Sequence, residues 1–162
     1  MTFDFNSLNH IFYMREALKE AAFAAQSGER PIGAVIVHDE RIVGRGRAEH
    51  LKKHNRLAHA ELNALLETAT NLYDYPHDNA VIYTTLEPCE MCLGAIVMSD
   101  VVNHVVFALA DRWINPSPMF EIPHVRRHIH NYVGGVLEKE SAALWQQYRP
   151  DELVLIHDGR KL

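Results

Sequence analysis

Four side chains in this chain of 162 residues have the types and spacing that bring a metal and a proton carrier together: His59, Glu61, Cys89 and Cys92. Two thiolates and one imidazole suit zinc, which takes sulfur near ~2.3 Å and nitrogen near ~2.0 Å. The cysteines lie three positions apart, Pro88 precedes the first, and His59 stands thirty residues upstream of it. Three protein ligands leave the fourth position of a tetrahedral ion for water, which is the layout of a catalytic site rather than a closed structural one. Glu61 is separate from the ligand set. Zinc acidifies its water, and a neighbouring carboxylate can take that proton and return it later in a reaction. The pair Cys89 and Cys92 alone would also suit thiol redox chemistry. A structural zinc would need a fourth ligand cysteine, which the chain lacks, and would leave Glu61 without a purpose.

These residues must be delivered by particular elements. Residues 58–70 have helical composition, with His59, Leu62, Leu65, Leu66 and Ala69 recurring at helical spacing. Residues 80–85 read as a buried strand, and Pro88 restarts the chain as a helix over about 89–98. Both ligand groups therefore open a helix, where the partial positive charge of the N-terminus favours thiolate. Upstream, residues 8–26 predict a helix with Ser7 as its N-cap and Gly28 marking its end. A buried strand over 32–37 turns at Asp39-Glu40 into an antiparallel partner at 42–44, and a polar, basic surface loop follows over 45–55. Downstream come a strand over 101–109, a stretch broken by Pro116, Pro118 and Pro123, a strand over 133–137 and a helix over 138–148. The type of the last element, 153–156, is left open. Strands alternating with helices predict an α/β chain: a three-layer α/β/α sandwich around a mixed sheet, in one domain spanning 1–162.

Composition fits that picture. Hydrophobic residues make up 48% and charged residues 23%, values of a soluble globular protein. Residues 1–6 lack a basic region followed by an apolar core, and no apolar run approaches the ~20 residues of a membrane span. No membrane partner is expected, and two cysteines without a signal peptide point to a reduced, cytoplasmic setting. A net charge of −5 gives no general attraction to nucleic acid, although Arg45, Arg47, Lys52, Lys53 and His54 form a basic loop that could touch phosphate or simply be solvated.

The His59-Ala60-Glu61 and Pro88-Cys89-Glu90-Met91-Cys92 motifs resemble the cytidine deaminase superfamily of zinc-dependent hydrolytic deaminases. Within it the chain looks most like the branch of bacterial tRNA adenosine deaminases and guanine deaminases. Pro31-Ile32-Gly33-Ala34-Val35-Ile36-Val37, Leu86-Glu87 before Pro88, Leu93-Gly94-Ala95 after Cys92, and Val105-Val106-Phe107-Ala108-Leu109-Ala110-Asp111 join in that likeness. The resemblance implies a five-stranded sheet flanked by helices, one zinc per chain and a homodimer. It also implies that the Ala60 N–H donates to the bound base and that the Pro88 carbonyl faces the leaving amine. Amine loss from an aromatic amidine fits the four residues: attack by water, then protonation of a ring nitrogen and of the amine. Two departures stand out. The asparagine that usually reads the base falls on Ala48 when counted back from His59, and the Asp-Pro-Thr-like triplet before Ala-His is Asn55-Arg56-Leu57. An alanine methyl makes no hydrogen bond, so either the choice of substrate broadens or base reading passes to other residues, for which Asn55, Asp111 and Trp113 are the candidates.

Asn63, one helical turn after His59, could support the ligand or be an ordinary polar position. Phe107 and Tyr83 could stack on a base or belong to the core. His124, His128 and His130 could bind a second metal, although solvated histidines beside Arg126 and Arg127 explain them as well. Three functions follow from the sequence. One is deamination of an amino-substituted nucleobase, nucleoside or related small heterocycle, which the overall acidity and the acidic C-terminal segment favour. The second is deamination of adenosine in tRNA. The third is a non-catalytic zinc module, against which Glu61 speaks.

Overall fold

A computed structural model describes residues 3–74 and 79–159. Among them the sheet has five strands in the order β2-β1-β3-β4-β5. Strand β1 (Gly33–His38) pairs antiparallel with β2 (Arg41–Arg47) and with β3 (Ala80–Leu86). Strand β3 runs parallel to β4 (Val102–Leu109), and β4 parallel to the short β5 (Asn131–Val133). The mixed sheet expected from the alternation of elements is therefore present.

Period-two alternation sorts the central strands onto two faces. Ala34, Ile36, Ala80, Ile82 and Val105 face one core with Ala60, Ala64, Leu93 and Ile96, which come from helices α2 (Ala60–Leu72) and α3 (Glu90–Ser99). Val35, Val37, Val81, Tyr83 and Val106 face the other with Tyr13, Met14 and Ala17 of α1 (His10–Gln26). That gives three layers. A smaller cluster at one end of the sheet joins Leu86 and Leu109 to Trp145 of α5 (Glu138–Tyr148) and to Leu153 and Ile156 of α6 (Pro150–Asp158). The short helix α4 (Pro123–His128) seals the α2–α3 face with Val125.

Several boundaries differ from the sequence expectation, each for a local reason. Asn9, not Ser7, caps α1: its side chain accepts from the Phe12 N–H at 3.0 Å. The hydroxyl of Ser7 instead donates to the Asp4 carbonyl at 2.8 Å within a preceding 3-10 turn. Strand β2 runs on to Arg47, so part of the expected loop is paired backbone. Strand β5 spans Asn131–Val133, largely upstream of the expected 133–137; after it Gly134 passes so close to Phe107 that a Cβ there would sit 2.4 Å from the ring, and Gly135 takes a positive φ of 88°. The element left open after Pro150 is helical, with proline at its start and Asp151 and Glu152 in its first turn. The side chain of Ala69, part of the helical spacing, lies outside the described residues.

Candidate active site

Helices α2 and α3 start where the sheet's strand ends converge, and the residues at those starts carry the chemistry. His59 occupies the N-cap of α2 and Cys89 the N-cap of α3, and neither side chain makes a capping hydrogen bond. Cap positions usually spend their side chain on the first amides of the helix. Here both side chains point to a shared centre instead. Cys92 follows one turn into α3, fully buried. The two sulfurs lie 3.6 Å (Cys89) and 3.5 Å (Cys92) from His59 Nδ1. A tetrahedral zinc with ordinary bond lengths needs a nitrogen–sulfur edge of ~3.5 Å, so the donor set fits the metal. Among the described residues this is the group of histidine, cysteine and acidic side chains that could hold an ion.

The packing of α2 fixes this position. Gly46 of β2 runs under the start of the helix, where an added Cβ would lie 2.1 Å from the Ala60 carbonyl oxygen. Asn63 ties the same helix to the preceding loop, donating to the Arg47 carbonyl at 2.8 Å and accepting from Lys53 at 2.9 Å. Its task is to hold that loop.

Glu61 lies beneath the cluster, 3% exposed. Its Oε1 accepts from Thr84 Oγ1 at 2.9 Å and its Oε2 from the Cys92 thiol at 3.3 Å. Burial pushes the Glu61 carboxyl above the usual glutamate range. Hydrogen bonding from Cys92, with His59 close by, pulls the Cys89 thiol down to about 4, and the Cys89 partner pushes Cys92 upward. The hydrogen bond to Cys89 raises His59. The cluster therefore favours negative charge on the Cys89 sulfur, near a carboxyl that can carry a proton.

A cavity of about 130 Å³ opens beside His59, Glu61 and Cys89. Ile32, Leu86, Trp145 and Ile156 supply apolar walls, and Arg30, Glu87, Asp111 and Glu152 polar ones. Asp111 and Trp113 thus line the cavity. The Asp111 carboxylate accepts from the Trp113 and Ile114 amides at 2.9 and 3.0 Å, and burial raises its pKa. Glu87 braces this wall, accepting from the Asp111 N–H at 2.9 Å and from the Tyr132 hydroxyl at 3.0 Å. A roomier groove of about 860 Å³, lined by Phe3, Asp39 and Glu40, shares no residue with the cluster.

Other expected site residues lie elsewhere. Ala60 and Pro88 are buried beside His59 and Cys89, outside the cavity lining. Asn55 lines a neighbouring groove, and its side-chain oxygen is taken by the Leu57 amide at 2.9 Å. Ala48 is fully buried, donating its N–H to the Ile32 carbonyl at 3.0 Å. Tyr83 and Phe107 belong to the two cores. His124 is exposed, while His128 is buried against the Val102 carbonyl and Asp100. Sequence reasoning missed Arg30, Trp145, Glu152 and Ile156. The signal for the last two was Pro150-Asp151-Glu152, which reads as a helix start and would have placed Ile156 one turn after Glu152.

Residues 8–109 match the family described as the cytidine and deoxycytidylate deaminase zinc-binding region. A tRNA-specific adenosine deaminase of Bacillus subtilis (strain 168) is 36% identical over 134 residues, covering 82% of this chain and 83% of that protein. Its counterpart from Buchnera aphidicola (subsp. Schizaphis graminum) is 37% identical over 110 residues, or 68% and 72% of the two chains. A solved structure from work on A-to-I editing by tRNA:A34 deaminases at the wobble position superposes with a TM-score of 0.73 at 30% identity, covering 82% of this chain and 98% of the other.

Proposed function

Because the chain belongs to the cytidine and deoxycytidylate deaminase zinc-binding family, we propose that it hydrolyses the exocyclic amine of adenosine held in tRNA. The deaminase chemistry and the zinc come with the family. The finer substrate reading rests on the relatives that carry the name tRNA-specific adenosine deaminase, one of them alike over 82% of this chain. The sequence favoured a small molecule on two grounds, and both lose force. The acidic segment after Pro150 is a helix packed over the cavity, and its Glu152 is engaged by Arg30 at 2.6 Å. The net charge of −5 describes the whole surface rather than the surroundings of the site.

His59 Nδ1, Cys89 and Cys92 would hold the zinc, which when bound would acidify a water for attack on a ring carbon. Glu61 does the proton work. Its buried carboxyl lies next to the cluster and on the cavity wall, so it can carry one proton of the water to a ring nitrogen and then the remaining hydroxyl proton to the amine. The C–N bond breaks, a carbonyl replaces it, and ammonia leaves. Thr84 fixes one Glu61 oxygen at 2.9 Å, and the other, which faces Cys92 at 3.3 Å, is the one that would move the proton. Leu86, Trp145 and Ile156 keep bulk water away from the reacting edge. Asp111 reads the far edge of the base, taking the part that Ala48 has no group to play. The observation that carries the deaminase reading is Glu61 buried on the wall of the same cavity as His59 and Cys89.

A second reading, deamination of a free amino-substituted base, nucleoside or heterocycle, draws on Ala48 and on the cavity. At about 130 Å³ it is smaller than the ~300 Å³ at which drug-sized pockets begin. An apolar wall also discriminates weakly between bases. Competition between an anticodon stem-loop and a panel of small amino-heterocycles, followed by ammonia release, separates the two. Turnover of the stem-loop is expected. Turnover of small compounds alone would put the second reading in its place.

A further inference from the structure

We propose that Trp145 reads the substrate, its indole N–H donating to a ring nitrogen of the base away from the reacting edge. The proposal rests on the adenosine reading for the ring and goes beyond it in assigning base recognition to a side chain of α5.

Among the described residues, three buried side-chain polar atoms have no hydrogen-bond partner: Nε2 of His50, Oδ1 of Asn103 and Nε1 of Trp145. Of these residues Trp145 is the one in the wall of the catalytic cavity, which it shares with His59, Glu61 and Cys89. Trp145 is 1% exposed, and the cluster it belongs to consists of Leu86, Leu109, Leu153 and Ile156, whose side chains accept no hydrogen bond. A buried N–H left without an acceptor is costly, and folded proteins keep few of them. Its acceptor must therefore come from what enters the cavity. The other polar walls are already engaged. Arg30 holds Glu152 at 2.6 Å, Glu87 takes the Asp111 amide and the Tyr132 hydroxyl, and Asp111 takes two amides.

Two successive residues of β3 register the indole on the proton carrier. Thr84 donates to Glu61 Oε1 at 2.9 Å, and the Thr85 carbonyl accepts from Ser141 Oγ at 2.6 Å. Ser141 is fully buried and lies one helical turn before Trp145, on the same face of α5. Beyond it the Arg149 N–H bonds to the Trp145 carbonyl at 2.7 Å. The ring thus keeps a fixed place relative to Glu61. In adenosine the edge that meets Glu61 carries C6, the leaving amine and N1, which takes the proton. N3 and N7 are the remaining ring acceptors. An indole N–H only donates, so it gains from either nitrogen and nothing from a C–H in its place. A site built to hydrogen-bond a substrate group rejects analogues that lack it far more strongly than an apolar wall does. Trp145 so supplies the stringency that Ala48 gives up.

The test uses the zinc-loaded full chain and anticodon stem-loops carrying adenosine, 3-deazaadenosine or 7-deazaadenosine at the target position. In wild type one deaza base should lower kcat/KM by about tenfold or more. Trp145→Phe keeps an aromatic ring without the N–H, so adenosine should fall to the level of that analogue and the penalty should vanish. Comparing the two proteins cancels the intrinsic reactivity of each base. Where Trp145→Phe fails to fold, 3-benzothienylalanine at position 145, with sulfur in place of the N–H, should give the same result. The chain has two tryptophans, so NMR resolves the indole N–H signals. In the slow variant Glu61→Gln the Trp145 signal should move downfield with the adenosine stem-loop and stay in place with the penalised deaza one. A penalty unchanged by 3-benzothienylalanine, equal losses on all three bases, or an indole signal indifferent to substrate would overturn the assignment. If the stem-loops are inert and free aminopurines react, the tRNA reading falls, and the same comparison on aminopurines and their deaza analogues still decides the role of Trp145.

Discussion

In the proposed reaction His59, Cys89, Cys92 and Glu61 divide one task into two, and substitutions should separate the parts. Removing the Cys89 sulfur leaves the metal an imidazole and one thiolate, so Cys89→Ala should lose most of its zinc by elemental analysis. Glu61→Gln keeps the shape of the side chain and one accepting oxygen for Thr84, while removing the proton carrier. Zinc should stay at one per chain and ammonia release should fall by roughly 10²–10⁴. Full turnover in Glu61→Gln would assign the proton transfer to another residue, and full zinc in Cys89→Ala would remove the ligand assignment. These four positions were legible in the sequence because ligand chemistry restricts residue type and because both clusters sit where local patterns start a helix. The polar walls were less legible. Asp111 and Trp113 follow directly from a strand end, whereas Arg30, Trp145 and Glu152 meet only after three separate segments pack, and no local spacing encodes that.

The ligands stand on helices, and the helices stand on glycines and small residues of the sheet. Gly46 is the sharpest case. A methyl at that position would approach the Ala60 carbonyl to 2.1 Å and the Ala64 amide to 2.4 Å, both backbone atoms that cannot swing away. Helix α2 would have to lift, taking His59 at its N-cap with it. Gly46→Ala should therefore cost about 1–3 kcal/mol of stability, as overpacking does, and weaken zinc affinity in the folded protein as well. Thermal unfolding with and without a chelator measures both. A variant with unchanged melting temperature and zinc affinity would show that the helix start is not set by this contact. Sequence patterns gave the elements themselves because alternation and helical periodicity are local properties. They misplaced β5, which occupies Asn131–Val133 rather than 133–137, where Gly134 lies against Phe107, a residue distant in sequence. They were silent on α6, whose place over the cavity depends on Leu153 and Ile156 meeting Trp145.

At the scale of the whole molecule the open matter is association. The family resemblance implies a homodimer, and Met91, Leu93, Ile96, Val97 and Met98 are more apolar positions than one sheet face is expected to cover. Leu93, Ile96 and Val97 turn out to be buried within the single chain, which removes most of that surplus. Among the described side chains of these two helices, the large exposed apolar ones are Met98, 76% exposed, and Leu66, 73% exposed. Scattered apolar residues are ordinary, but large ones on the helices that carry the metal ligands are where a second copy would gain most. A homodimer is expected through this α2–α3 face, and its salt response should distinguish it from nucleic-acid binding. Each chain carries −5, so two copies repel at long range and dimerisation should tighten as salt shortens the Debye length to ~8 Å at 0.15 M. Binding to RNA should weaken over the same range, since it depends on releasing counterions from phosphate. Light scattering at micromolar concentration should give twice the 18.5 kDa chain mass, and Leu66→Glu with Met98→Glu should return the single-chain value. A single-chain mass for wild type across the salt series would reject the dimer; a dimer indifferent to both substitutions would place its interface on another face.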